Sequence, residues 1–74
     1  MTIGKTIHTL RKKQHLTQKQ LAELLGITYQ AVSNWELDKN APDLDQIRRM
    51  TIIFDVSAGF LLGLEQADTQ HTEK

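Results

Sequence analysis

The sequence predicts an all-α protein: a compact domain of five short helices around one core. Three observations lead there. Apolar residues recur at helical spacing in five separate stretches, and four of these follow a Thr, Asp or Ser able to cap a helix start. Glycine, or a run of loop-forming residues, closes most of them, and no stretch shows the alternation of period two that a half-buried strand requires.

The first helix is expected over residues 2 to about 14, where Ile3, Ile7 and Leu10 make one apolar stripe among polar neighbours. The second starts at Thr17, which with Gln20 forms the S/T-x-x-E/Q capping pattern ahead of Leu21, Ala22, Leu24 and Leu25. Gly26 ends it, because a residue without Cβ enters the left-handed conformation freely. Only Ile27 separates that glycine from Thr28, the cap of a third helix running to about Glu36, so two helices meet across a very tight turn. Asp38, Asn40 and Pro42 mark a loop. Asp43 with Gln46 makes a further capping pattern before Leu44, Ile47, Met50, Thr51 and Phe54, the fourth helix. Ser57 caps a last short helix through Phe60, Leu61 and Leu62, closed by Gly63. Residues 1–64 are therefore read as the domain, and 65–74, polar and poor in apolar residues, as a flexible tail.

Composition narrows the chemistry. A chain of 74 residues buries only about 60% of its unfolded surface. Having no cysteine, it has neither a disulfide nor a thiolate metal site to supplement its core, which suits a reducing compartment. His8, His15 and His71 lie too far apart to resemble a zinc motif, and no metal or other cofactor is expected. No apolar run approaches the roughly 20 residues that span a bilayer, and the start "MTIGKTIHTL" lacks an apolar signal region, so the expected location is the cytoplasm. The net charge is +0 but unevenly distributed. Lys5, Arg11, Lys12, Lys13, Lys19 and Lys39 face only Glu23, Glu36 and Asp38 in residues 1–40, and the balance reverses after that.

At about 100° per residue, Ala31, Val32 and Trp35 gather on one side of the third helix, whereas Tyr29, Gln30, Ser33 and Asn34 gather on the other. One side packs and the other is offered to a partner. Ala22 is small where helices two and three must cross closely, and Ile27 fills the corner beneath their turn.

From Gln18 to Leu37 the order of Ala22, Gly26, Val32 and Trp35 resembles the helix-turn-helix of phage-repressor and Cro-like transcription regulators, the lambda-repressor-like DNA-binding fold. The likeness extends over residues 3 to about 64 through "LRKKQHLTQKQLAELLGIT", the "WE" of Trp35 and Glu36, Lys39, Pro42 and "FDVSAGFLLG". It implies that helix three is a recognition helix lying in the major groove of double-stranded DNA. The resemblance then makes Gln30, Ser33 and Asn34 base-contacting residues, since amide side chains donate to and accept from base edges and a hydroxyl serves either role. Tyr29 joins them at the margin, able to meet a phosphate, a thymine methyl or a sugar. Gln18, Thr28, Lys39 and Asn40 match family positions that contact phosphates, and Arg11 with Glu36 matches a pair that forms a partly buried salt bridge. The chain departs from the pattern after "WE", where Leu37 and Asp38 replace a polar residue and glycine, so Asp38 is expected in the left-handed conformation. Ala41 and Asp43 stand where a basic loop would add phosphate contacts.

The expected function is that of a sequence-specific regulator, a repressor that occupies a palindromic operator as a homodimer. Phe60, Leu61, Leu62 and Leu64 are more apolar residues than one short helix buries, which makes them the candidate dimer interface. The alternative is a protein-binding module of the same fold, an antitoxin or anti-repressor acting on a protein partner. No enzyme is expected: the carboxylate pairs Asp43/Asp45 and Glu36/Asp38 are explained by capping and surface charge, and five short helices leave little room for a substrate pocket of roughly 300 Å³ or more.

Overall fold

The computed structural model describes residues 2–65. Five helices follow one another: α1 (Ile3–Lys13), α2 (Gln18–Leu25), α3 (Tyr29–Glu36), α4 (Leu44–Phe54) and α5 (Ala58–Leu61). Of the tail read in the sequence, all but Glu65 lies outside the described residues.

Every helix starts with an extended residue whose side-chain oxygen accepts the backbone N–H three positions on: Thr2, Thr17, Thr28, Asp43 and Ser57. Thr17 and Gln20 form the full reciprocal box, the Thr17 N–H donating to Gln20 Oε1 at 2.8 Å and the Gln20 N–H to Thr17 Oγ1 at 3.0 Å. At α4 the expected box is only half made. Gln46 N–H donates to Asp43 Oδ1 at 3.0 Å, but the Gln46 side chain lies in the cleft beside Trp35 instead of folding back on its cap, and its Oε1 is buried without a hydrogen-bond partner among the described residues.

The helix ends share one design as well. After each helix a single residue turns left-handed: His15 (φ 58), Gly26 (φ 72), Asp38 (φ 59), Asp55 (φ 56) and Gly63 (φ 81). In each case the next residue's N–H bonds back to a carbonyl in the last turn: Leu16 to Arg11, Ile27 to Ala22, Lys39 to Asn34, Val56 to Thr51 and Leu64 to Gly59, at 2.8 to 3.1 Å. This is the Schellman arrangement, which satisfies carbonyls the helix itself leaves free. Gly26 and Asp38 were legible as such turns, but His15 and Asp55 were not.

The core gathers Ile7 and Leu10 from α1, Leu21, Ala22 and Leu25 from α2, Val32 and Trp35 from α3, Ile47, Met50 and Phe54 from α4, then Val56 and Leu61. Ala22 is 2% exposed at the crossing of α2 and α3, and Ile27 is half-buried at their corner. Leu61 corrects the expected interface: it is fully buried in the core, because on a helix of four residues the buried stripe is one residue wide and Leu61 occupies it. Phe60 is half-buried against the same core, leaving Leu62 (42% exposed) and Leu64 (78% exposed) outward.

Candidate nucleic-acid interface

The α2–α3 pair positions the candidate site, and α1 fixes its back. Arg11 sits in the last turn of α1 and Glu36 ends α3, and their side chains, 8% and 5% exposed, meet in a two-pronged ion pair. Arg11 Nε donates to Glu36 Oε2 at 2.6 Å and Nη2 to Oε1 at 2.9 Å, while Nη1 donates to the Leu16 carbonyl at 2.8 Å. The planar guanidinium thus satisfies both the carboxylate and the corner that leads into α2. The pair is more deeply buried than the partial burial expected.

Two further side chains join it. His8 Nδ1 stands 2.9 Å from Glu36 Oε1 and 3.2 Å from Arg11 Nη2. Gln18 Nε2 donates to Glu36 Oε1 at 3.1 Å. Burial of Glu36 opposes its ionisation, but the hydrogen bonds from Arg11, His8 and Gln18, with the charge of Arg11, outweigh it and hold the carboxyl below its ordinary value of 4.5. Gln18, expected to reach a phosphate, therefore has its amide partly committed to the protein. His8 was missed in the sequence, although its position three residues before Arg11 puts both on one face of α1.

The outward side of α3 is different. Tyr29 (56% exposed) and Gln30 are exposed, whereas Ser33 and Asn34 are half-buried. Among the described residues none of these four side chains makes a hydrogen bond, so their donors and acceptors are open to a partner. The four do not form one flat face. Tyr29 borders a cleft of about 680 Å³ with Lys12, His15, Gln18 and Lys19 at the α1–α2 corner. Ser33 turns toward α1, lining a cleft with Lys5, His8 and Gln18. Gln30 and Asn34 line another, of about 530 Å³, with Thr28, Asn40, Asp43 and Gln46. The exposure of Ser33 and Asn34 is smaller than the helical wheel suggested because α1 and the α3–α4 loop flank them.

Of the expected phosphate contacts, Thr28 is exposed, its hydroxyl accepting from the Ala31 N–H at 3.3 Å, and Lys39 and Asn40 are exposed in the loop after α3. Lys12, His15 and Lys19, which cluster beside Tyr29, were absent from the sequence-based site. Only the approach of α1 to the start of α2 gathers them. Among the described residues no group of His, Cys, Asp or Glu is placed to hold a metal ion, and no helix is long and apolar enough to cross a membrane.

A family model described as helix-turn-helix matches residues 7–61. The transcriptional regulator ImmR of Bacillus subtilis is 34% identical over 71 residues, which cover 96% of this chain and 56% of ImmR. The transcriptional activator BcrR of Enterococcus faecalis is 33% identical over 69 residues, 93% of this chain but 34% of BcrR. The chain thus spans about half the length of the first of these relatives and a third of the second. Among solved structures the P22 c2 repressor, in complex with a synthetic operator, superposes with a TM-score of 0.82 at 25% identity, covering 88% of this chain and 98% of that one.

Proposed function

The chain belongs to the helix-turn-helix family, and from that premise we propose that it is a sequence-specific regulator of transcription that binds double-stranded DNA through α3. The observation that carries this reading is the outward side of α3, where four uncharged polar side chains make no hydrogen bond among the described residues beside a tightly braced two-helix turn. Gln30, Ser33 and Asn34 set base preference, with Tyr29 at the margin. A bidentate amide contact to adenine discriminates by about 1–3 kcal/mol. Gln18, Thr28, Lys39 and Asn40 set affinity through phosphates, and Lys39 contributes a salt-dependent share. Gln18 reaches a phosphate without leaving Glu36 only through the second hydrogen of its amide or its backbone N–H. The protein acts by occupying its site in the cytoplasm, where bacterial DNA lies, and requires no catalytic group.

We further propose a homodimer in which Leu62 and Leu64, with the edge of Phe60, form the apolar contact. Two-fold symmetry would set two copies of α3 about 34–36 Å apart, one turn of DNA. Selection from a random duplex pool tests the DNA reading, with an enriched palindrome expected; no enrichment, with retention of a protein partner instead, would favour the protein-binding role. Light scattering tests the assembly. A dimer that Leu62→Glu and Leu64→Glu dissociate is expected, and a monomer both free and on DNA would contradict it.

A further inference from the structure

Four of the five Schellman ends among the described residues place an apolar residue after the left-handed position: Leu16, Ile27, Val56 and Leu64. Leu16 and Ile27 are half-buried against the core and Val56 is buried, so three of these turns are anchored by packing, as is common for the motif. Leu64 is 78% exposed, and the end of α3 departs further. There the residue after the left-handed Asp38 is Lys39, exposed and unable to anchor anything.

A polar contact stands in the place of the missing apolar one. Asp38 Oδ2 accepts a hydrogen bond from the Thr2 hydroxyl at 3.0 Å, and the same Thr2 oxygen accepts the Lys5 N–H at 3.1 Å as the cap of α1. The carboxylate thereby sits at the N-terminus of α1, where exposed backbone N–H groups favour negative charge. Its approach requires Gly4. A Cβ there would collide with the Trp35 carbonyl oxygen and come within 2.6 Å of Asp38 Oδ1. Thr2 and Gly4 at the start of α1, and Asp38 36 residues after Thr2, thus fix one loop.

We propose that Asp38 is a positioning residue for DNA binding: its carboxylate, latched to Thr2 at the start of α1, holds Lys39 and Asn40 in the geometry that meets DNA phosphate. This rests on the reading of Lys39 and Asn40 as phosphate contacts. The latch also keeps the carboxylate itself on α1, away from the phosphates its neighbours approach.

Two substitutions separate the latch from the backbone turn. Asp38→Gly retains, and eases, the left-handed conformation but removes the side chain. Asp38→Asn tolerates the same conformation and keeps an acceptor for Thr2. Without DNA, ¹⁵N relaxation is expected to show greater fast motion at the Lys39 and Asn40 amides in Asp38→Gly and wild-type motion in Asp38→Asn, with the unfolding temperature of Asp38→Gly unchanged or raised. On DNA, Asp38→Gly should weaken the selected and a scrambled duplex by the same factor, roughly 2- to 12-fold, the equivalent of one hydrogen bond's net contribution. The salt slope should fall by up to about 0.9 per subunit, and Lys39→Ala should then have little further effect. Unchanged motion in Asp38→Gly, or a loss in Asp38→Asn as large as in Asp38→Gly, overturns the latch. Altered motion in a protein whose wild type prefers no duplex leaves the latch standing and overturns the DNA reading instead.

Discussion

Asn34 and Glu36 lie two residues apart on α3, yet their polar groups meet opposite conditions. Glu36 is 5% exposed at its side chain and takes hydrogen bonds from Arg11 and Gln18, with the ring of His8 alongside. Asn34, with Gln30 and Ser33, makes no side-chain hydrogen bond among the described residues. The inner side is closed because a buried charge without partners is costly. The outer side is open because its amides and hydroxyl are uncharged, and water satisfies them at little cost. What α3 offers outward depends on how completely it is satisfied inward.

The largest test of that contrast is to break the inner side. Arg11→Ala and Glu36→Ala should each cost about 3–5 kcal/mol, because each strands the other charge in a buried place, whereas Arg11→Met with Glu36→Leu together should cost much less. Urea unfolding midpoints measure this, and single-variant shifts no greater than those of exposed substitutions would show that the pair does not brace α3.

Gly4→Ala should come next. The added methyl meets the backbone carbonyl of Trp35, which cannot swing away as a side chain does, so α1 must move off α3. Overpacking of this kind costs about 1–3 kcal/mol. Thermal unfolding gives the value, and an unshifted transition would mean that the two helices leave room for a methyl group there.

A smaller effect follows from pH. The Glu36 carboxyl is held below its ordinary value of 4.5 in the folded state, so its contribution is present above the unfolded value and is lost as pH falls through the folded one. Wild type should therefore lose more stability on acidification below about pH 5 than the Arg11→Met, Glu36→Leu protein. Equal acid dependence would remove the pair from the account.

The sequence made the inner and outer sides legible to different degrees. Helix starts were readable at Thr17, Thr28, Asp43 and Ser57, since a short oxygen-bearing side chain ahead of an apolar stripe has a local cause. Thr2 escaped because the stripe begins at once with Ile3. Gly26 declared its turn. His15 and Asp55 did not, because their positive φ comes from the carbonyls that the following N–H must satisfy and not from their own side chains. The Arg11–Glu36 pairing entered through the family resemblance, while the roles of His8, Gln18 and Gly4 required α1 and α3 to be brought together. Leu61 looked the same as Leu62 until the phase of a one-turn helix decided between them.

In the proposed function the open polar side of α3 reads DNA while contributing little to the fold. The most direct test titrates wild type and Gln30→Ala against the selected palindrome and a scrambled duplex at several salt concentrations, with a thermal melt of each protein. Gln30→Ala should melt within about 0.5 kcal/mol of wild type, as an exposed substitution does. It should also lose about 1–3 kcal/mol of preference per bidentate contact removed, with its affinity for the scrambled duplex unchanged. A Gln30→Ala protein that keeps the full preference, or a wild type that does not distinguish the two duplexes, would contradict the account.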